Sequence, residues 1–345
     1  MPIYYYIAAG LLVVAALVIR RRIRIFRSKG RRRRHTRVTY RRKKLPLNLG
    51  LRDDISYDKT VQQLEKSFNK HFSNKLKLRI EQEYPHMKKL EYRWKLLELK
   101  RYFVMASLLK QVPMFSDEVD ELWHEMLMFT KSYADFCAEF MGSTVHHEPA
   151  VTRRENPGAR AWFDWVYCQL FEFTPYSSAI WGEFFSYPIS GELQKLIAQG
   201  DRTELVNQFF HTRRMQEDPE AAQVISYLMD RLQRSASLNE KELSLESSGS
   251  VDVALIMASA MVYHSMYHEA TFGVHMGRLE QELIPPEKAA QGASSSSSCS
   301  SSSSCYADHC NDSSGSSGDS GSSSGSSSDS SCSSSSCSSC GGGGD

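Results

Sequence analysis

SDEVDELWHEMLMFTKSYADFCAEFMG, residues 116–142, decides the fold class. Val119, Leu122, Met126, Phe129, Tyr133, Phe136 and Phe140 recur at steps of three and four, the period of one helix face. Ser116 stands where an N-cap is needed, and Asp117, Glu118 and Asp120 favour the positive end of a helix. Gly142 suits the stop. The same period recurs on both sides. Upstream, Tyr57 to Leu76 carries Val61, Leu64, Phe68 and Phe72, and a helix opened by Pro85 runs through Tyr92, Leu96, Leu99 and Phe103 towards Val112, where Pro113 ends it. Downstream, the aromatic-rich segment Arg160 to Phe173 reads as a core helix ended by Pro175, and Tyr176 to Ser190 as irregular or a short turn. Glu204 to Arg214, Pro219 to Leu232 and Val251 to Leu283 read as further helices, with Leu238 to Ser250 as a polar linker. No strand alternation is long enough to build a sheet, so the body, residues 53–288, is predicted all-α.

The chain opens differently. Seventeen uncharged residues, Ile3 to Ile19, precede fifteen Arg and Lys between Arg20 and Lys44, with no acid before Asp53. At 1.5 Å per residue the run spans roughly 26 Å, against about 30 Å of hydrocarbon. It reads as an uncleaved single transmembrane helix (residues 1–22) followed by a basic juxtamembrane stalk (23–52). The basic block resists translocation, which places the N-terminus outside and the body in the cytoplasm. Arg20, Arg21, Arg22, Arg31, Arg32, Arg33 and Arg34 are the expected contacts with anionic lipid headgroups. The block abuts the apolar run and has only Tyr40 interleaved, so lipid is preferred to nucleic acid as its partner.

Charge is segregated. The full chain has a net charge of +2, but beyond the basic block 27 basic residues face 40 acidic ones. From Gly292 onward, 29 of 54 residues are Ser and nine are Gly, with no Lys or Arg. Such a tail (289–345) cannot bury enough apolar area to offset chain entropy and is expected to be disordered. Six of the eight cysteines lie in it, and Cys137 and Cys168 lie in the body. In a cytoplasmic body all eight are thiols; in an oxidising compartment the six become disulfide candidates with fifteen pairings.

Asp120-Glu-Leu-Trp123-His124, with Thr130, Tyr133, Phe136-Cys137, Gly142 and His146-His147-Glu-Pro149, resembles the glycine-rich-domain-containing family. That family is described in plants and occurs in uncharacterised bacterial membrane proteins. The resemblance covers about thirty residues. Met126 stands where the plant pattern has a second His, and the tail is mostly Ser. The resemblance implies membrane company but no reaction.

The residues themselves support two roles. In one, Trp123 and Tyr133 anchor the core and Asp120 accepts a hydrogen bond from His124 one turn later. In the other, His124 and His146 or His147 share a divalent metal with Asp120, zinc being favoured, and His264 and His268 complete the ligand set. The tail offers a separate thiolate site at Cys332, Cys337 and Cys340, aided by His309 and Cys310. His264-Ser-Met-Tyr-His268 has zincin-like spacing, but Ser265 replaces the general base, which disfavours a metalloprotease. The functional expectation is a binding or scaffolding module at the cytoplasmic membrane face with a protein partner. The alternative is a metal-binding protein or metal-dependent enzyme built on these histidines or on the tail thiolates.

Overall fold

The computed structural model of the protein describes residues 38–147, 156–239, 242 and 252–283. Thirteen α-helices account for them: α1 (Asp58–Ser67), α2 (Lys70–Glu83), α3 (Lys89–Leu108), α4 (Asp117–Leu127), α5 (Thr130–Met141), α6 (Pro157–Leu170), α7 (Ser177–Trp181), α8 (Gly191–Gln199), α9 (Arg202–Phe209), α10 (Thr212–Glu217), α11 (Pro219–Ser237), α12 (Val253–Tyr267) and α13 (Phe272–Leu283). Among the described residues there is no strand. Extended pairing is limited to isolated bridges, Leu51 with Phe171 and Leu109 with Phe210. The all-α expectation holds.

The boundaries differ where local chemistry overrides periodicity. Tyr57 to Leu76 is two helices, because the Asn69 side chain accepts the Phe72 N–H at 3.0 Å and caps a new start. Pro85 does not open α3; it sits in a turn before Lys89. Segment 116–142 divides after Leu127, where Phe129 leaves helical geometry and sets its ring edge-on to Phe72 at 6.3 Å. The Ser190 hydroxyl caps α8, a helix absent from the sequence reading. Glu204 to Arg214 breaks at Phe210, which bridges to Leu109. Val251 to Leu283 breaks at His268, and a 3-10 turn, Glu269–Thr271, folds α13 back onto α12.

The hub is α3, whose Trp94, Leu97, Leu99, Phe103, Val104 and Met105 are buried around its whole circumference. On it pack α1, α4 and α7, while α5 packs on α1 and α4. A second group, α11 to α13, joins through α12 against α6. Packing starts upstream of α1: Tyr40 meets the Tyr176 ring at 4.7 Å, and the Trp94 indole donates to the Arg42 carbonyl at 2.9 Å. Two buried ionic networks lock the centre. Glu98 on α3 accepts from the Tyr167 hydroxyl at 2.7 Å and the Trp181 indole at 2.9 Å, with the Arg101 guanidinium 3.6 Å away. Arg160 pairs with Asp164 at 2.7 Å and donates to the carbonyls of Trp181 and Glu183. Cys137 and Cys168 are buried free thiols.

The single-pass membrane reading is corrected here. Among the described residues no helix is long and apolar enough to cross a membrane. The apolar helix α12 has 15 residues, about 22 Å, short of a 30 Å core. The 20-residue α3 carries Glu98 and Arg101 in its middle. Among the described residues, the outside/cytoplasmic orientation derived from a spanning helix therefore has no support. The run Ile3 to Ile19, the arginines at 20–22 and 31–34, and the tail with Cys332, Cys337 and Cys340 lie outside the described residues.

Candidate metal site on helix α4

Ser116 starts the site. Its hydroxyl accepts the Val119 N–H at 3.2 Å and donates to the Ile180 carbonyl at 2.7 Å, so the first turn of α4 is capped and tied to α7 at once. One turn along, Asp120 and His124 share a face. Beside them on the inner side of α4 Trp123 is buried, its ring 5.1 Å from Tyr102 and 5.4 Å from Phe103. Trp123 therefore fixes the rotation of α4 and with it the direction of Asp120.

The second half of the site arrives by a fold-back. Gly142, at φ +70°, ends α5 in the left-handed conformation that glycine adopts without strain. The chain then runs back along α4. The Trp123 indole donates to the Tyr133 hydroxyl at 3.1 Å, and that hydroxyl donates to the Val145 carbonyl at 2.6 Å. Burial pushes the Tyr133 pKa up, which keeps this donor protonated. This strap delivers His147, whose ring stands edge-on to Trp123 at 4.6 Å and lies 4.4 Å from the ring of His124.

Three side chains converge. Asp120 Oδ1 is 2.6 Å from His147 Nε2, and Oδ2 is 3.2 Å from His124 Nδ1, which also lies 3.0 Å from the Asp120 carbonyl. The side chains of Asp120 and His147 are 12% and 11% exposed, and that of His124 is 54% exposed. The group is thus walled on one side by Trp123 and open to solvent beside His124. One ligand atom from each residue lies within 4.8 Å of the others, an arrangement that could hold a metal ion. Tetrahedral ligation at about 2.0–2.2 Å sets ligand atoms roughly 3.4 Å apart; Asp120 and His124 at 3.2 Å stand near that spacing, while Asp120 and His147 at 2.6 Å would have to open to admit an ion.

The predicted ligands divide. Asp120, His124 and His147 come together; His146 is exposed and outside the group. His264 and His268 do not complete it but meet His275 of α13 instead, with ring separations of 4.6 Å and 4.9 Å. His275 was missed in the sequence, because a continuous helix over 251–283 would set it eleven residues, about 16 Å, beyond His264.

A family model described as UCP032817-like matches residues 59–175, a span that contains the whole Asp120 group. That finding corrects the resemblance to the glycine-rich-domain family: the matched family is a different and uncharacterised one, and the resemblance rested on only about thirty residues. No curated protein and no solved structure matches the chain.

Proposed function

We propose that this chain is a metal-binding protein that holds a divalent transition ion, zinc by preference, on Asp120, His124 and His147. One observation carries the reading: a nearly buried carboxylate and two imidazoles, brought from separate segments by a dedicated Trp123–Tyr133–Val145 strap, place their ligand atoms within 4.8 Å. Two histidines and one carboxylate leave a coordination position free, as in open zinc sites and in non-haem iron centres. Here that position faces solvent past His124.

The geometry favours ion binding over scaffolding. Large exposed apolar side chains among the described residues, Leu47, Leu78, Met128, Tyr267 and Val274, come singly from different elements and build no broad docking patch. Nor does the triad line either groove beside Leu45–Leu47, which argues for holding an ion rather than processing a bulky substrate there.

The test is metal content by mass spectrometry on the full chain purified under reducing conditions. Asp120→Asn and His147→Ala should each lose one equivalent of zinc relative to wild type, and chelation should lower the wild-type melting temperature. Wild-type metal content in both variants would refute the site and leave Asp120 as a hydrogen-bond hub for two histidines.

A further inference from the structure

The α12–α13 hairpin gathers three imidazoles that the Asp120 site does not use. His264 lies in the last turn of α12, His268 caps that helix, and His275 projects from α13. Their ring centroids are 4.6 Å (264–275), 4.9 Å (268–275) and 5.5 Å (264–268) apart. His264 is only 6% exposed, and its Nδ1 is buried without a hydrogen-bond partner. Among the described residues no hydrogen bond or ion pair engages the imidazole of His268 or His275 either. Buried polar nitrogens nearly always find partners, so the orphaned His264 nitrogen beside two further imidazoles needs a reason.

Coordination of a metal ion would supply one. The set contains neither carboxylate nor thiolate, which disfavours calcium, magnesium and copper(I) and suits zinc or copper(II). His264 and His268 stand at i, i+4, the spacing that puts two side chains on one helix face. The nearly parallel rings of His264 and His275, 17° apart, must turn for their nitrogens to converge. His268 and His275, both half-buried, are the rings that would turn.

We propose that His264, His268 and His275 form a second metal site, an all-imidazole set that takes zinc or copper(II) and thereby pins α13 to α12. Phe272 and Met276 are the buried residues of α13, so a cross-link through an ion would add to the apolar hold they supply. Binding to the folded chain alone raises its stability in proportion to the logarithm of free ion over Kd.

The experiment uses the full chain carrying Asp120→Asn, so that the first site is out of play and its failure is separate from this one. Zinc is added, excess removed by dialysis, and bound zinc counted; amide exchange is read over residues 272–283. One equivalent should remain, with slower exchange in α13, and both effects should vanish when His275→Ala or His268→Ala is added. Equal zinc with and without His275, or binding that leaves α13 exchange unchanged, overturns the proposal. Should a variant fold poorly by circular dichroism, copper(II) on the Asp120→Asn chain decides by electron spin-echo spectroscopy: three coordinated imidazoles are expected, and none overturns it.

Discussion

Replacing Glu98 by alanine tests the polar centre on which the helices converge. In the native chain its carboxylate receives the Tyr167 hydroxyl (2.7 Å), the Trp181 indole (2.9 Å) and the Ser177 hydroxyl (3.2 Å), and balances Arg101 at 3.6 Å. Both ions are fully buried. Burial raises the Tyr167 pKa, so its hydroxyl stays a donor. After Glu98→Ala, Tyr167 and Ser177 retain each other at 3.0 Å, and Ser177 keeps Thr174 at 2.9 Å. The Trp181 indole loses its Glu98 acceptor, at about 1–3 kcal/mol, and Arg101 loses its counter-charge in a dry site, at about 3–5 kcal/mol. The two overlap, so the expected loss is about 4 kcal/mol, a large part of the 5–15 kcal/mol typical of a domain. Urea unfolding followed by tryptophan fluorescence reads it: with a slope of about 3 kcal/mol per molar, the midpoint falls by about 1.3 M. The double variant Glu98→Leu/Arg101→Met should recover most of that loss, because two apolar groups leave no stranded charge. A single-variant loss below about 1 kcal/mol would show that water reaches Arg101 and would refute the dry-centre argument.

Ser116→Ala removes a cap and the tie to the Ile180 carbonyl, so calorimetry should show a loss of about 1–2 kcal/mol, and zinc affinity at the Asp120 group should fall with it. Cys168 gives the pH-dependent case: burial, outweighing the nearby Arg52, pushes its thiol up to about 12 from an ordinary value of 9. The folded state therefore holds this proton more tightly than the unfolded one, and stability should decline as pH rises from about 9 towards 12. Iodoacetamide at pH 8 should leave Cys168 unlabelled in the native chain and label it in denaturant; rapid native labelling would contradict its burial.

Much of the fold is legible as helical period plus caps. Ser116, Gly142 and Pro219 mark ends that the structure keeps, because each acts through its own backbone neighbours. The breaks at Phe129, Phe210 and His268 were not legible. Phe129 and Phe210 leave their helices where each meets a distant partner, Phe72 and Leu109 respectively, and no local signal announces such a contact. Gly191 following Ser190 did carry a local signal, a serine cap before Leu193 and Ile197, that the aromatic density upstream obscured.

The two histidine groups show the same division. Asp120 and His124 could be paired from sequence because four residues on a helix is a fixed distance, and His147 could be nominated because Gly142 permits a reversal close before it. What brings His147 home, the Tyr133 hydroxyl reaching the Val145 carbonyl, depends on Trp123 fixing the face of α4, and that depends on α3 beneath it. His275 lay beyond such reasoning. Its approach to His264 requires a reversal within four residues, His268 to Thr271, in a segment free of proline and with glycine only beyond it. A reversal without the usual turn residues has to be held by what it brings together. Phe272 and Met276 supply the apolar part of that hold, and the three imidazoles meet on the same hairpin. If an ion joins them, the break is stabilised by ligation rather than by turn chemistry, which is why a reading built on turn residues passes over it.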